Sequence, residues 1–333
     1  MTELDVAVTD RGTAPDRELL GLQDLSVTFI GRTGRATAVR SVDLSVPAGT
    51  TFGIVGESGS GKSVSMMAVM GLLAPNARRG GTIRWHGEDI TDSNRVKEMR
   101  GRDISMVFQD PMTSLNPLMS IGNQVGEVLR VHQKMSRQAA RARVEELLAM
   151  VGIASPGDCY DRFPHHFSGG MRQRVMIASA LACEPELLIA DEPTTALDVT
   201  VQAQILELIG DLQARLGIAV ILITHDLAVV AQVCERVAVM YAGKVIETGT
   251  VEQVLRDPAH PYTQGLLASS PRLRGDRRRM IPIAGSPPDV YQPLTGCSFS
   301  PRCPHADPSI CGVEPPMLAA HDGRPVACWK ATR

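Results

Sequence analysis

The sequence lacks long apolar runs, a signal peptide and a strong excess of charge, and each absence excludes a class of protein. No apolar run in the 333 residues approaches the roughly 20 that a membrane-spanning helix needs. Residues 1–17 are polar and mixed in charge, without the apolar core of a signal peptide. The formal net charge is -2, which gives no field suited to DNA or RNA. We therefore expect a protein that acts in the cytosol and has no nucleic-acid partner.

Short apolar runs rich in β-branched residues alternate with helical segments, which is the pattern of an α/β fold. Hydrophobic residues make up 44% and charged residues 21% of the chain, an ordinary globular composition. We expect parallel, neighbouring strands at 51–55, 187–190 and 219–224, and helices at 62–74 and 201–216.

The composition also suggests how the chain is divided. We expect residues 1–20 to form a flexible tail and residues 21–257 to form one large α/β domain. Residues 121–151 are polar with a helical period and charges of alternating sign, which favours an inserted helical subdomain at about 110–180. Prolines crowd the sequence after residue 257, so we place a domain boundary there and treat 258–333 as an extension. No internal repeat is evident.

A phosphate-binding loop follows the first expected strand and opens the first helix. Its residues, Gly56, Glu57, Ser58, Gly59, Ser60, Gly61, Lys62 and Ser63, fit the pattern G-x-x-x-x-G-K-[ST]. Glycines let several backbone N–H groups point at one phosphate, at the positive end of the helix dipole. We expect Lys62 to reach the β and γ phosphates and the Ser63 hydroxyl to bind Mg²⁺. The alternative, a glycine-rich turn without a ligand, is disfavoured by the flanking strand and helix.

Two carboxylates, Asp191 and Glu192, end the strand expected at 187–190. The carboxyl edge of a parallel sheet is where ligands bind in such folds. Asp191 is the expected Mg²⁺ partner, and Glu192 is the expected general base for the attacking water. Taken alone, Asp-Glu-Pro is also a common start of a helix, where it has a capping role.

The most specific segment is a Ser-Gly-Gly turn that opens a basic helix shortly before the acidic strand. It comprises Ser168, Gly169 and Gly170, followed by Met171, Arg172, Gln173 and Arg174. With the phosphate loop and the carboxylates, this order resembles the ATP-binding cassette (ABC) ATPases. The resemblance implies a P-loop NTPase (RecA-like) cassette with a helical subdomain, in which ATP is sandwiched between two chains. It implies that Ser168, Gly169 and Gly170 contact the γ-phosphate bound by the partner chain.

The same resemblance assigns further residues. Gln109 would contact Mg²⁺ and the attacking water, and His225 would contact the γ-phosphate. Asp198 matches a loop at the dimer seam, although it is equally suited to capping the next helix. Aromatic residues are scarce, at 4%, so the adenine contact falls to Phe29, with Val39 as an apolar alternative.

Two further segments resemble one branch of that family, the peptide and nickel importer ATPases. They are residues 108–117 and 260–263. The resemblance implies a peripheral ATPase subunit on the cytoplasmic face of the cell membrane, working with a second ATPase chain, two integral-membrane permeases and an extracytoplasmic peptide-binding protein. In such importers the segment after Gln109 receives the permease, and its apolar side chains are either that dock or plain core residues. Dipeptides or oligopeptides are the expected cargo; the alternatives are nickel or another small solute, or a soluble ABC ATPase outside transport.

Four of the seven cysteines crowd the proline-rich extension. They are Cys297, Cys303, Cys311 and Cys328. In a cytosolic chain such a cluster favours metal binding over disulfides, and thiolates suit an iron–sulfur cluster or Zn²⁺. The resemblance implies a [4Fe-4S] cluster; Zn²⁺ and free or disulfide-bonded thiols remain the alternatives.

Overall fold

The computed structural model describes residues 17–32, 34–195, 197–270, 282–292, 294–312, 319–321 and 324–330. Residues 1–16 of the tail expected at 1–20 lie outside the described residues, whereas residues 18–20 belong to the first strand, where Leu19 and Leu20 are buried. The strands are β1 Glu18–Gly31, β2 Gly34–Pro47, β3 Thr51–Val55, β4 Ala77–Trp85, β5 Glu88–Asp89, β6 Ile104–Val107, β7 Leu187–Asp191, β8 Ala219–Thr224, β9 Arg236–Tyr241, β10 Lys244–Thr250, β11 Ala319–His321 and β12 Arg324–Val326. The helices are α1 Lys62–Val69, α2 Ser93–Met99, α3 Pro111–Ser114, α4 Ile121–His132, α5 Arg137–Met150, α6 Pro156–Tyr160, α7 Gly169–Leu181, α8 Val199–Leu216, α9 Leu227–Val233, α10 Val251–Arg256, α11 Pro261–Ser269 and α12 Pro308–Cys311.

Two sheets organise the molecule. The larger has eight strands in the order β11-β12-β10-β9-β3-β8-β7-β6, and its central strands β9, β3, β8, β7 and β6 are parallel. The smaller is an antiparallel sheet of four strands in the order β2-β1-β4-β5. The expected parallel neighbours at β3, β7 and β8 are confirmed, as is the α/β fold class.

The large sheet separates two hydrophobic cores because successive side chains of a strand point to opposite faces. In β8, Val220 and Leu222 pack with the core that includes α4, α5 and α7, whereas Ile221 and Ile223 pack with the core that includes α1 and the small sheet. All four side chains are fully buried. This burial on both faces holds the parallel strands rigidly, and their carboxyl ends then form a fixed edge.

Helix ends differ from the sequence expectations for local reasons. Helix α1 ends at Val69 instead of residue 74, and Gly71 nearby has a φ of 63°, which turns the backbone out of the helix. Helix α8 begins at Val199 instead of 201, because the Asp198 carboxylate accepts hydrogen bonds from the N–H groups of Thr200 and Val201.

The extension joins the large sheet instead of standing apart. Strand β12 pairs with β10, and the fully buried Glu247 on β10 accepts a hydrogen bond at 3.1 Å from Arg324 on β12. A buried ion pair therefore joins residues on the two sides of the boundary proposed at 257. The boundary itself remains a prediction. Within the described part of the chain, no helix combines the length and apolar character that crossing a bilayer requires.

Candidate nucleotide-binding site

The phosphate loop connects the end of β3 to the start of α1. A side chain could not replace two of its glycines, since a Cβ on Gly56 would lie 2.2 Å from the carbonyl oxygen of Met240, and a Cβ on Gly61 would lie 2.6 Å from that of Ala38. Gly61 also has a φ of 100°, a conformation that favours glycine. The loop therefore packs directly against neighbouring backbone, which fixes its curve ahead of the helix N-terminus.

The Lys62 ammonium is folded back over this loop. Its Nζ donates hydrogen bonds to the carbonyl oxygens of Gly56 at 2.7 Å and Glu57 at 3.0 Å. Burial lowers the pKa of Lys62, while the carboxylates of Glu192, Asp191 and Glu57 act in the opposite direction. A cation held over a loop that leads into a helix N-terminus is suited to an anionic ligand with several phosphates.

The expected metal ligands meet across the loop. The Ser63 hydroxyl donates a hydrogen bond of 2.8 Å to the Asp191 carboxylate, although the two residues are 128 positions apart. Burial raises the pKa of Asp191, the bond from Ser63 lowers it, and the Glu192 charge raises it further. A hydroxyl and a carboxylate in contact are oxygen donors of the kind that Mg²⁺ prefers, so the residues present fit this ion.

Glu192 is held by polar side chains from three segments. Its carboxylate accepts hydrogen bonds from the amide of Gln109 at 3.0 Å and from the hydroxyl of Thr195 at 2.8 Å, and His225 Nδ1 lies 3.5 Å away. The backbone of Glu192 has a φ of 45°, which is strained for a residue with a side chain. The structure thus brings together Gln109, Glu192 and His225. It adds Thr195, whose contact with Glu192 was not predicted, because nothing in the sequence indicates it except the short spacing between the two residues.

The phosphate loop lines a cleft of about 730 Å³. Gln109, Glu192 and His225 line the same cleft. Part of the lining comes from the extension and was not expected from the sequence: it consists of Leu266, Ser269, Pro282 and Ile283.

The Ser-Gly-Gly turn lies elsewhere. Ser168 caps helix α7, where its hydroxyl accepts a hydrogen bond of 3.4 Å from the N–H of Met171. None of Ser168, Gly169 and Gly170 is among the described residues that line the cleft. Gly170 packs against α8, where an added Cβ would lie 2.6 Å from the side chain of Val201. The turn therefore packs against α8 and, among the described residues, is not part of the lining of the cleft.

The remaining predicted contacts are placed as follows. Asp198 caps α8, the alternative raised by its sequence context, and Ala196 in the same loop lies outside the described residues. Phe29 is partly buried near the end of β1 and packs against the core beside the small sheet. Val39 is fully buried on β2, so its side chain does not face a ligand in this structure. The adenine contact stays a prediction for both residues.

The four cysteines of the extension are free thiols, each half-buried. Burial raises the pKa of the Cys297 and Cys303 thiols, backbone N–H groups lower it, and the nearby thiols of Cys311 and Cys328 raise it further. Cys297 also donates a backbone hydrogen bond of 2.8 Å to Cys311. Across the described ranges, however, no group of three or more His, Cys, Asp or Glu side chains is arranged to hold a metal ion. The thiols of the extension are thus neighbours, but their arrangement in this structure does not form a metal-binding site.

Comparisons with known proteins agree with this geometry. A family model for "ABC transporter" matches residues 39–195, and one for "Oligopeptide/dipeptide transporter, C-terminal region" matches residues 246–311. The chain is 50% identical to the dipeptide transport ATP-binding protein DppD of Bacillus subtilis, over 94% of each protein. It is 48% identical to the oligopeptide transport ATP-binding protein OppD of Escherichia coli, over 99% of this chain and 98% of that protein. A solved ATP-binding cassette, dimeric and bound to ADP and phosphate after hydrolysis, superposes with a TM-score of 0.63 at 29% identity, covering 70% of this chain and 99% of that chain.

Proposed function

Because the chain belongs to the ABC transporter family, we propose that it is the ATP-hydrolysing subunit that energises an importer for dipeptides or oligopeptides. One observation carries this conclusion. The phosphate loop and Glu192 line one cleft, Asp191 is hydrogen-bonded to Ser63 of that loop, and part of the cleft lining comes from the extension that matches the oligopeptide/dipeptide transporter region.

Each side chain of the cleft has a role in phosphoryl transfer to water. The backbone N–H groups of the loop and Lys62 bind the phosphates; Ser63 and Asp191 would hold Mg²⁺, which would supply positive charge to the phosphate oxygens. Glu192 accepts a proton from the attacking water, and Gln109 orients that carboxylate through their hydrogen bond. His225 lies beside Glu192 with a side chain 62% exposed, where it can reach a γ-phosphate.

A second ATPase chain completes the site. We assign Ser168, Gly169 and Gly170 to the nucleotide bound by the partner, as the family resemblance implies; among the described residues, these three do not line the cleft of their own chain. The hydroxyl and the N–H groups at the start of α7 then face the γ-phosphate, for the same reason that the phosphate loop does. ATP joins the two chains, and hydrolysis lets them part.

The helical subdomain offers a surface for an integral-membrane partner. Met112 and Leu118 are 64% and 85% exposed, whereas Leu115 between them is buried. These two exposed apolar side chains are the part of the segment that we propose as the dock. The segment follows Gln109, so a permease bound there would sense the state of the cleft. The chain then works on the cytoplasmic face of the membrane with two permeases and a peptide-binding protein.

Purification from native membranes tests this assignment. We expect the tagged full-length chain to recover two integral-membrane proteins and a second ATPase chain, and the complex to hydrolyse ATP faster when a peptide-loaded binding protein is added. The double variant Met112→Ser/Leu118→Ser should lose the membrane proteins while keeping the second ATPase chain. Recovery of ribosomes or DNA in place of membrane proteins would contradict the transport function.

We propose that Cys297, Cys303, Cys311 and Cys328 hold a [4Fe-4S] cluster. Two features support it: the four thiols are free, and the backbone N–H of Cys297 donates a hydrogen bond of 2.8 Å to the carbonyl oxygen of Cys311, which brings two of the cysteines together. Such a cluster would tie together a segment that is poor in regular structure. The described geometry shows no grouping ready for a metal ion, so binding would draw the sulfurs closer together.

Anaerobic purification of the full-length chain tests the cluster. We expect a brown protein with iron and acid-labile sulfide in about equal amounts, as a [4Fe-4S] cluster requires. Cys311→Ser should lose the colour, whereas Cys183→Ala, a buried cysteine outside the extension, should keep it. A colourless protein with bound zinc would support the Zn²⁺ alternative, and one without metal would contradict both.

A further inference from the structure

The extension touches the phosphate loop itself through Arg302. Its guanidinium forms a two-pronged ion pair with the carboxylate of Glu57, at 2.7 Å and 3.1 Å, across 245 positions of sequence. Glu57 is the second residue of the phosphate loop and lines the cleft. In a bidentate pair of this kind, two parallel hydrogen bonds fix the orientation of the guanidinium and the carboxylate as well as the distance between them.

The Arg302 side chain is buried and is also hydrogen-bonded within the extension. Its side chain is 5% exposed, and its guanidinium also donates hydrogen bonds to the backbone carbonyls of Ala284 at 2.9 Å and Ile283 at 3.3 Å. Ile283 is part of the cleft wall. A single side chain therefore connects the phosphate loop to an extension residue that lines the same cleft.

A second contact reaches the backbone of the same loop residue. The hydroxyl of Tyr262, on α11, accepts a hydrogen bond of 2.9 Å from the N–H of Glu57. Tyr262 is fully buried, and its ring packs tilted against Tyr241 and edge-to-face against Phe299, at centroid distances of 4.6 Å and 5.4 Å. The extension thus contacts Glu57 twice, at its backbone N–H and at its carboxylate.

We propose that Arg302 is a positioning residue for nucleotide binding, which holds the phosphate loop through Glu57 and neutralises the Glu57 charge beside the bound phosphates. A bare carboxylate in that loop would repel a polyphosphate, since like charges at close range disfavour each other in a partly buried site. The ion pair removes that repulsion and fixes the curve of the loop. This inference rests on the proposed ATP site and adds that the extension is part of its support.

Equilibrium binding of MgATP and MgADP to the full-length chain tests this role, at a temperature where circular dichroism shows each variant folded. We expect Arg302→Ala to weaken both nucleotides about tenfold, the loss typical of a charge-assisted hydrogen bond. Arg302→Lys should recover part of the affinity, because it restores the charge but not the fork. Adding Glu57→Gln to Arg302→Ala should also recover affinity, since it removes the unpaired carboxylate.

The control is Ser298→Ala, which removes a different contact between extension and cassette, the 3.3 Å hydrogen bond from Arg40. It should leave nucleotide affinity unchanged. If wild-type chain binds MgATP and folded Arg302→Ala binds it equally well, or if Glu57→Gln worsens the arginine variant, the positioning role is overturned while the ATP site stands. If Arg302→Ala does not fold, Arg302→Lys decides, because it keeps the charge but not the fork: affinity weaker than wild type supports the role, and affinity equal to wild type overturns it. A wild-type chain without MgATP affinity would overturn the proposed function instead.

Discussion

Glu192→Gln is expected to bind MgATP as tightly as the wild-type chain and to lose turnover by about 100-fold to 10,000-fold, the range for removal of a general base. The amide keeps the size of the carboxylate and an oxygen that can still accept hydrogen bonds from Gln109 and Thr195. It cannot take a proton from water at neutral pH. Binding by isothermal calorimetry and steady-state phosphate release by the purified complex measure the two properties separately.

Glu186→Gln is the matched control for this variant. Glu186 immediately precedes strand β7, which ends in Asp191, so it lies at the edge of the sheet away from the cleft. Its carboxylate is 2.9 Å from His86 Nε2, on the surface. Turnover should be unchanged in Glu186→Gln. Steady-state hydrolysis at the wild-type rate in Glu192→Gln would show that another group accepts the proton.

The strand ends of the large sheet could be predicted because each signal is local. A buried strand of a parallel sheet is a short apolar run, so Thr51–Val55 and Ala219–Thr224 have the bounds that the sequence predicted. Once those strands were parallel neighbours, the residues that follow them had to meet at one edge. The proximity of Ser63, Asp191 and Glu192 follows from topology, although no local pattern joins them.

The contribution of the extension could not be predicted in this way. Arg302 and Glu57 are joined by packing between distant segments, and neither residue type nor spacing marks the pair. In the sequence, Leu266 and Ile283 are ordinary apolar residues. They line the cleft only because the extension folds back over the loop. Val39 is the opposite case. The sequence suggested it for an apolar contact with a ligand, but its side chain is fully buried where β1 and β2 pair over the core. The particular roles of the cleft residues, including those carried over from family resemblance, remain predictions.

Ser168→Ala is expected to leave MgATP binding by the isolated chain unchanged and to slow hydrolysis by the complex with the second ATPase chain about 10-fold to 100-fold. The loss corresponds to one hydrogen bond to a charged group. It falls on the nucleotide held by the partner, because Ser168 does not line the cleft of its own chain. Hydrolysis by the complex, followed as phosphate release, and binding by the single chain distinguish this effect from damage to the phosphate loop.

Helix capping is the competing explanation for such a loss, since Ser168 also caps α7. Removing a capping serine costs about 1 kcal/mol of stability wherever it lies. Ser136 provides the comparison, because it caps α5 through the N–H of Ala139 at 3.2 Å and is likewise absent from the described lining of the cleft. Ser136→Ala should lower the melting temperature as Ser168→Ala does and leave hydrolysis intact. If both variants slow hydrolysis equally, Ser168 acts only as a cap, and the shared site between two chains loses its main support.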